Sequence, residues 1–421
     1  MSLPTRRILR TFPALASSLY RRFLLSSMIG TTGSFMQATA LGWLVLVLTN
    51  SPAKLGLAGA VAGLPTLFLA VFAGVLADRL DRRRLLVITN GSAAAFALVL
   101  AILTTTNLVE YWHVLVLALL TGLAFTIQLP AAQAVVSTIV DRTSIGSAVA
   151  LNSAQYNLLR IFAPALAGVF IAIGSLALGF WINAVALALV AFIIARLQIP
   201  HLRSADRVQA AIWRDLQDGL RYVAADRVLF ILVLLPAVPA LFVLNYLTFI
   251  PLYARDILHI GPAGLGLLTG AIGAGALIGA LSLASMRPSG GSGRLVLGSL
   301  GIVGVALSVF AVSRSLPISM LALAFIGGFQ VNFYSTTNTL IQVLVPARLR
   351  GRVLSLYMLT SIGLIPIANL AGGWLAEKIG VEIVLAAGGV CTIAIVAMTI
   401  LAEPRIGRLR AAHLSTVEAG D

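Results

Sequence analysis

Asn152, Tyr156 and Arg160 recur every four residues, so on an α-helix an amide, a phenol and a guanidinium share one stripe. Arg160 sits near the middle of an apolar segment, where a charge costs several kcal/mol unless it meets a wet cavity or a partner. Two readings stand: contact with a substrate or the gating of its pocket, and a structural arginine bonding carbonyls of a neighbouring segment. The acids offer no partner at that depth. All fourteen, from Asp78, Asp81, Glu110 and Asp141 through Asp256, Glu377 and Glu382 to Asp421, lie in polar connections or at segment ends. The four histidines, His113, His201, His259 and His413, lie there too, so no metal site and no mid-segment proton relay is expected. One cysteine, Cys391, excludes an intrachain disulfide. No G-x-x-x-x-G-K-[ST], H-E-x-x-H or G-x-S-x-G string occurs, so neither nucleotide hydrolysis nor an intramembrane enzyme is expected, and no cofactor.

The elements that position such a stripe must be membrane helices. Of 421 residues, 59% are apolar and only 10% charged, whereas a water-soluble fold of this size needs about a quarter of its residues charged. Breaking the chain at charges and at Pro, Gly, Asn and Ser clusters leaves twelve apolar segments. They run over 23–49, 55–77, 85–105, 112–140, 147–173, 176–197, 228–254, 264–286, 295–313, 316–345, 353–378 and 382–402. Each is long enough to span a bilayer, and backbone amides in hydrocarbon force the helical form. The first segment is too long for a signal-peptide core and is read as a retained span.

Alternate connections divide the cations sharply. Arg6, Arg7, Arg10, Arg21 and Arg22 precede the first span, Arg79, Arg82, Arg83 and Arg84 follow the second, and Arg142 follows the fourth. The same side takes six arginines between 196 and 227, then Arg287, Arg294, Arg348, Arg350, Arg352, Arg405, Arg408 and Arg410. The opposite side holds only Lys54, Arg255, Arg314 and Lys378, and Arg160 alone is left over. By the positive-inside rule both termini face the cytoplasm. The net charge of +15, which elsewhere would suggest nucleic acid, is here a record of sidedness, and no nucleic acid is expected as a partner.

The longest polar connection divides the chain into a six-helix bundle over 1–197, a linker over 198–227, a second bundle over 228–402 and a cytoplasmic tail over 403–421. Within the linker, Ile212, Trp213, Leu216, Leu220 and Val223 recur at helical spacing opposite Arg214, Asp215, Gln217, Asp218 and Arg221, which predicts an amphipathic interfacial helix. The halves repeat. An offset of 205 lays Gly122, Val140, Gly146 and Gly168 on Gly327, Val345, Gly351 and Gly373, and an offset of 210 lays Leu55-Gly56-Leu57 on Leu265-Gly266-Leu267.

The loop after the second span reads Gly74-Val75-Leu76-Ala77-Asp78-Arg79-Leu80-Asp81-Arg82-Arg83. It resembles the G-x-L-A-D-R-x-G-R-[KR] signature of the major facilitator superfamily, departing where Asp81 replaces glycine. Asp215-Leu216-Gln217-Asp218-Gly219-Leu220-Arg221-Tyr222-Val223 is similar to the D-L-x-x-G-L-x-Y-V segment of the branch of bacterial efflux carriers that includes the enterobactin exporter. Asn152-Ser153, Asn157-Leu158-Leu159-Arg160 and Pro164-Ala165-Leu166-Ala167-Gly168 are similar to the same branch.

The resemblance implies an all-α fold of twelve spans in two six-helix pseudo-repeats and a secondary transporter that exports a small drug-like or siderophore-like molecule. Protons as the coupling ion are implied by the family alone. It also implies a conformational latch of Gly74, Asp78, Arg79 and Arg82, with Arg82 paired to Asp141 and Asp78 facing the start of span eleven near Gly351; simple basic anchoring is the other reading of these arginines. In this superfamily spans one, four, seven and ten line the path. Their mid-depth polar residues are Gln37; Thr126 and Gln128; Asn245 and Tyr246; and Gln330, Asn332, Tyr334 and Asn338. These, with Asn152, Tyr156 and Arg160, are the expected substrate contacts, or else polar links between helices. Phe35 and Trp43 fit a cavity wall or plain packing. A carrier of this kind needs membrane lipid and a small-molecule substrate as partners and acts as a monomer. Without mid-span acids the path fits a neutral or anionic substrate better than a polycation. Uptake, a lipid-like cargo, and a nontransporting receptor or scaffold are the competing expectations.

Overall fold

A computed structural model describes residues 12–198, 212–285 and 293–409. Among them the secondary structure is helix and turn, with no strand. The first six spans are α1 (Ser18–Thr49), α2 (Pro52–Arg79), α3 (Arg82–Thr105), α4 (Tyr111–Ile139), α5 (Ile145–Ala172) and α6 (Leu176–Arg196). The linker contributes α7 (Ile212–Ala225). The remaining spans are α8 (Arg227–Ile257), α9 (Gly261–Ser285), α10 (Gly293–Val312), α11 (Leu316–Leu344), α12 (Arg348–Ile379) and α13 (Val381–Ala402). All twelve are long and apolar enough to cross a membrane, in the order the apolar segments predict.

Polar residues at the segment ends set the boundaries. Ser17 Oγ accepts the Tyr20 amide at the head of α1, and Asp226 accepts the amides of Val228 and Leu229 at the head of α8. Asp81 accepts the Arg84 amide as N-cap of α3, which gives the departure from the signature glycine a structural role. Asn50 ends α1 in the left-handed region at φ 51°. Two spans are irregular. Pro236, Pro239 and Pro251 remove amides from α8, which breaks into Arg227–Leu234, Ala237–Phe242 and Tyr246–Leu252 before a π-turn at Tyr253–Ile257. α12 carries a π-turn at Leu359–Gly363 ahead of Pro366, and the Thr360 hydroxyl donates to the Val233 carbonyl of α8 at 2.7 Å.

Two compact units result. One comprises Met1–Asn50, Val61–Arg207 and Ile260–Gly266; the other comprises Ser51–Ala60, Val208–His259 and Leu267–Asp421. They follow the halves of the sequence except that the opening turns of α2 and α9 are exchanged. Glycines allow each exchange. In the second unit a Cβ on Gly56 would collide with the Asn369 carbonyl and stand 2.8 Å from Gly373 Cα. In the first, a Cβ on Gly168 would stand 2.6 Å from the Pro262 carbonyl and 3.0 Å from Gly266 Cα. Gly56 repeats as Gly266 and Gly373 as Gly168, so the two crossings are repeat-equivalent, and Pro52 and Pro262 head their helices in the same register. The Glu377 carboxylate marks one crossing alone, accepting the Ser51 hydroxyl at 2.7 Å and the Ala53 amide at 3.1 Å.

The first unit's core gathers Tyr20, Phe23, Leu86, Val135, Ala148 and Ile194; the second's gathers Leu232, Val296, Leu300, Phe333, Leu340 and Val353. α7 joins the second through Val223, with Gly219 seated against Arg352 of α12, while Leu220 is exposed. The side chains of residues 212–216 and Asp218 lie outside the described residues.

Candidate functional site

In the first unit α1, α2, α3, α4 and α6 enclose a cavity of about 280 Å³. Gln37, Gln128 and Asn183 are its amides, with Ser34 and Thr121 as hydroxyls and Phe96 and Phe125 as aromatic wall. Gln37 Oε1 accepts Asn183 Nδ2 at 2.7 Å, and Gln128 Nε2 donates to Asn90 Oδ1 at 3.1 Å. Thr126 donates to the Gly122 carbonyl and meets the Thr66 hydroxyl at 2.9 Å. The expected contacts on spans one and four are thus fastened to spans two, three and six. Trp43 is buried, and Phe35 packs against Met36, Ala163 and Ala167.

The α5 stripe is graded along its length. Asn152 Oδ1 accepts the Tyr20 hydroxyl at 3.1 Å and is structurally engaged. Tyr156 is 51% exposed, its ring 5.2 Å from that of Phe35. Arg160 is half-buried, and no hydrogen bond or ion pair joins it to any other of the described residues. Gln155, on the adjoining face, is buried and reaches Ser27 on α1. Helical geometry says where Arg160 points. Leu158 and Phe162, exposed apolar residues two positions away on either side, lie about 160° around the helix from it. Buried Ala163, Pro164, Ala167 and Gly168 in the following turns lie within about 80° of it, whereas buried Ala148 and Gln155 in the preceding turns lie about 120–140° away, so Arg160 stands where the buried face of α5 changes side. Val149 and Ser153, also exposed, lie within about 20° of it around the helix.

In the second unit the polar groups are buried and less completely matched. Asn245 sits where α8 is broken, and its Oδ1 has no hydrogen-bond partner among the described residues. The same holds for Gln330 Nε2, Asn332 Oδ1, the Tyr334 hydroxyl and Thr336 Oγ1 on α11. Tyr246 is fully buried, and Tyr246 and Tyr357 each lie within electrostatic reach of Tyr334. The Tyr357 hydroxyl holds the Tyr334 carbonyl at 3.0 Å. Asn338, one turn on from Tyr334, bonds Gln342 instead. Thr248 donates to Asn369 Oδ1 at 3.0 Å, tying α8 to α12. Buried polar atoms are almost always bonded, so the open groups of Gln330 and Tyr334, one turn apart on the same face of α11, are ready to bond a solute or water.

Of the expected latch, the side chains of Gly74, Asp78 and Arg79 lie outside the described residues. Arg82 does not pair with Asp141. It donates to Thr138 Oγ1 at 3.1 Å and to the Ala134 carbonyl at 3.3 Å, groups that α4 presents before its end, and Asp141 is exposed. Gly351 is exposed, with open space where a Cβ would stand. The site residues that sequence reasoning missed are Asn90, Asn183, Asn369 and Tyr357. All lie on spans outside the four lining ones, and their buried amides and phenol in apolar runs were the available signal.

A family profile described as transmembrane secretion effector matches residues 10–416. The staphyloferrin A transporter of Staphylococcus aureus is 26% identical over 379 residues, covering 89% of this chain and 93% of that protein. The multidrug efflux pump Tap of Mycobacterium tuberculosis is 28% identical over 388 residues, covering 88% and 90%. In fold, the chain matches the crystal structure of a bacterial homolog to the human lysosomal transporter Spinster with a TM-score of 0.73 at 15% identity, covering 93% and 98%.

Proposed function

Because this chain belongs to the transmembrane secretion effectors of the major facilitator superfamily, and is therefore a multi-pass membrane transporter, we propose that it exports a small amphipathic compound by alternating access. The carrying observation is the set of buried polar atoms without partners on α8 and α11, Asn245 Oδ1, Gln330 Nε2 and the Tyr334 hydroxyl, beside a proline-broken helix. Broken helices carrying open polar groups are where carriers of this class hold their cargo. The efflux pump and the siderophore transporter among the relatives support a drug-like or siderophore-like cargo.

Both termini face the cytoplasm in this reading, the bundles over 1–197 and 228–402 rock about the linker, and the chain works as a monomer in the inner membrane. Protons are the proposed driving ion. The spans hold no acid at mid-depth, so edge acids must carry the proton, or it travels with the cargo. Asp256 is paired to Arg255 and Glu382 to Arg314, Glu110 accepts the Trp112 indole, and Glu377 holds the head of α2.

Uptake into everted membrane vesicles tests the reading. Energised vesicles containing the chain should accumulate siderophore-like or drug-like solutes above vesicles lacking it, and a protonophore should abolish the difference. Accumulation in intact cells rather than in everted vesicles would reverse the proposed direction.

A further inference from the structure

We propose that Arg160 is the anion-binding group of the transport path, so that the exported compound carries a carboxylate on an amphipathic body. The inference rests on the export reading and adds the charge of the cargo. A half-buried guanidinium at mid-span in a helix of 28 residues is costly to leave unpaired, yet no carboxylate, carbonyl or hydroxyl among the described residues bonds it. Val149, Ser153 and Tyr156 within about 40° of it around the helix are exposed, so protein leaves the surface beside it uncovered, and a charge at this depth requires that space to be wet. A cation so placed, with five donors in a planar fork, is complementary to a carboxylate taken in bidentate fashion.

The neighbouring turn supplies the rest of the match. The exposed Tyr156 ring, braced against Phe35, offers an aromatic face one turn from the guanidinium, where the apolar body of a ligand can lie. No acid occupies α5. A cationic amphiphile therefore meets like charge here with nothing to offset it, whereas an anionic one completes the site.

The test uses the purified full chain in lipid nanodiscs and two probes, dansylaminoundecanoic acid and its primary amide, which differ in the charge of the head alone. Wild type should bind the acid at least about tenfold more tightly than the amide, the scale of one charge-assisted hydrogen-bonded pair. Arg160→Gln should bring the two affinities together by weakening the acid while leaving the amide unchanged, and Arg160→Lys should keep part of the preference. Equal affinities in wild type, loss of both probes alike in Arg160→Gln, or binding of neither probe would each overturn the proposal. Transport separates it from the export reading. Vesicles that move the amide but show no preference for the acid sink the anion site alone, whereas discriminating binding without movement of either probe sinks export alone.

Discussion

Asn183 and Asn245 are both buried amides within apolar spans, and their surroundings assign them opposite roles. Asn183 gives its Nδ2 to Gln37 across α6 and α1 although its own Oδ1 is unbonded, whereas no side-chain hydrogen bond joins Asn245, at the break in α8, to any other of the described residues. Asn183→Ala should therefore lower thermal stability in detergent by about 1 kcal/mol, the cost of orphaning a buried amide, with transport falling only as the protein unfolds. Asn245→Ala should leave the midpoint nearly unchanged and reduce transport several-fold. A comparison of midpoints and vesicle uptake for the two variants checks the distinction, and the reverse pattern would exchange their roles. Arg160 could be picked from sequence because a charge in an apolar run is conspicuous. The partner of Gln37 could not, since spacing along one helix says which residues share a face and nothing about which neighbouring helix comes across it.

Among the elements, regularity fails where proline dictates and where glycine permits. The breaks in α8 follow from Pro236, Pro239 and Pro251, and twelve segments of spanning length were readable from hydropathy alone. The exchange of the first turns of α2 and α9 was not readable. The 205 and 210 offsets flagged the glycines involved, but only packing shows that each presses on a backbone that cannot yield. Gly168→Val and Gly373→Val should thus each be damaging, because the added Cβ meets main chain at 3.0 Å or less. Both should reduce the folded yield after extraction, and any protein recovered should transport poorly. Gly91→Ala, where a Cβ meets nothing within 4 Å, should fold and transport as wild type and serves as the control. Size-exclusion profiles and uptake rates decide the matter, and a normally folded, fully active Gly168→Val would show that the crossing can relax.

At the scale of the whole molecule, charge gives direction to a fold whose halves repeat. Twenty-four of 29 cations fall in one set of alternate connections, and a span too many or too few would scatter that alternation. The twelve helices agree with the count, which leaves orientation to be measured. Cys391, the sole thiol, lies exposed on α13, so Cys391→Ala gives a background free of cysteine. Leu108 between α3 and α4 and Arg348 at the head of α12 are both exposed and sit in connections of opposite type. In intact cells a membrane-impermeant maleimide should label Leu108→Cys and spare Arg348→Cys, and in everted vesicles the two should exchange. Labelling of both from one side would contradict an alternation read through twelve spans, and the inverted pattern would place the arginine-rich face outside. That outcome would turn the Arg160 site around with respect to the membrane, making the same guanidinium a receptor for anions entering the cell.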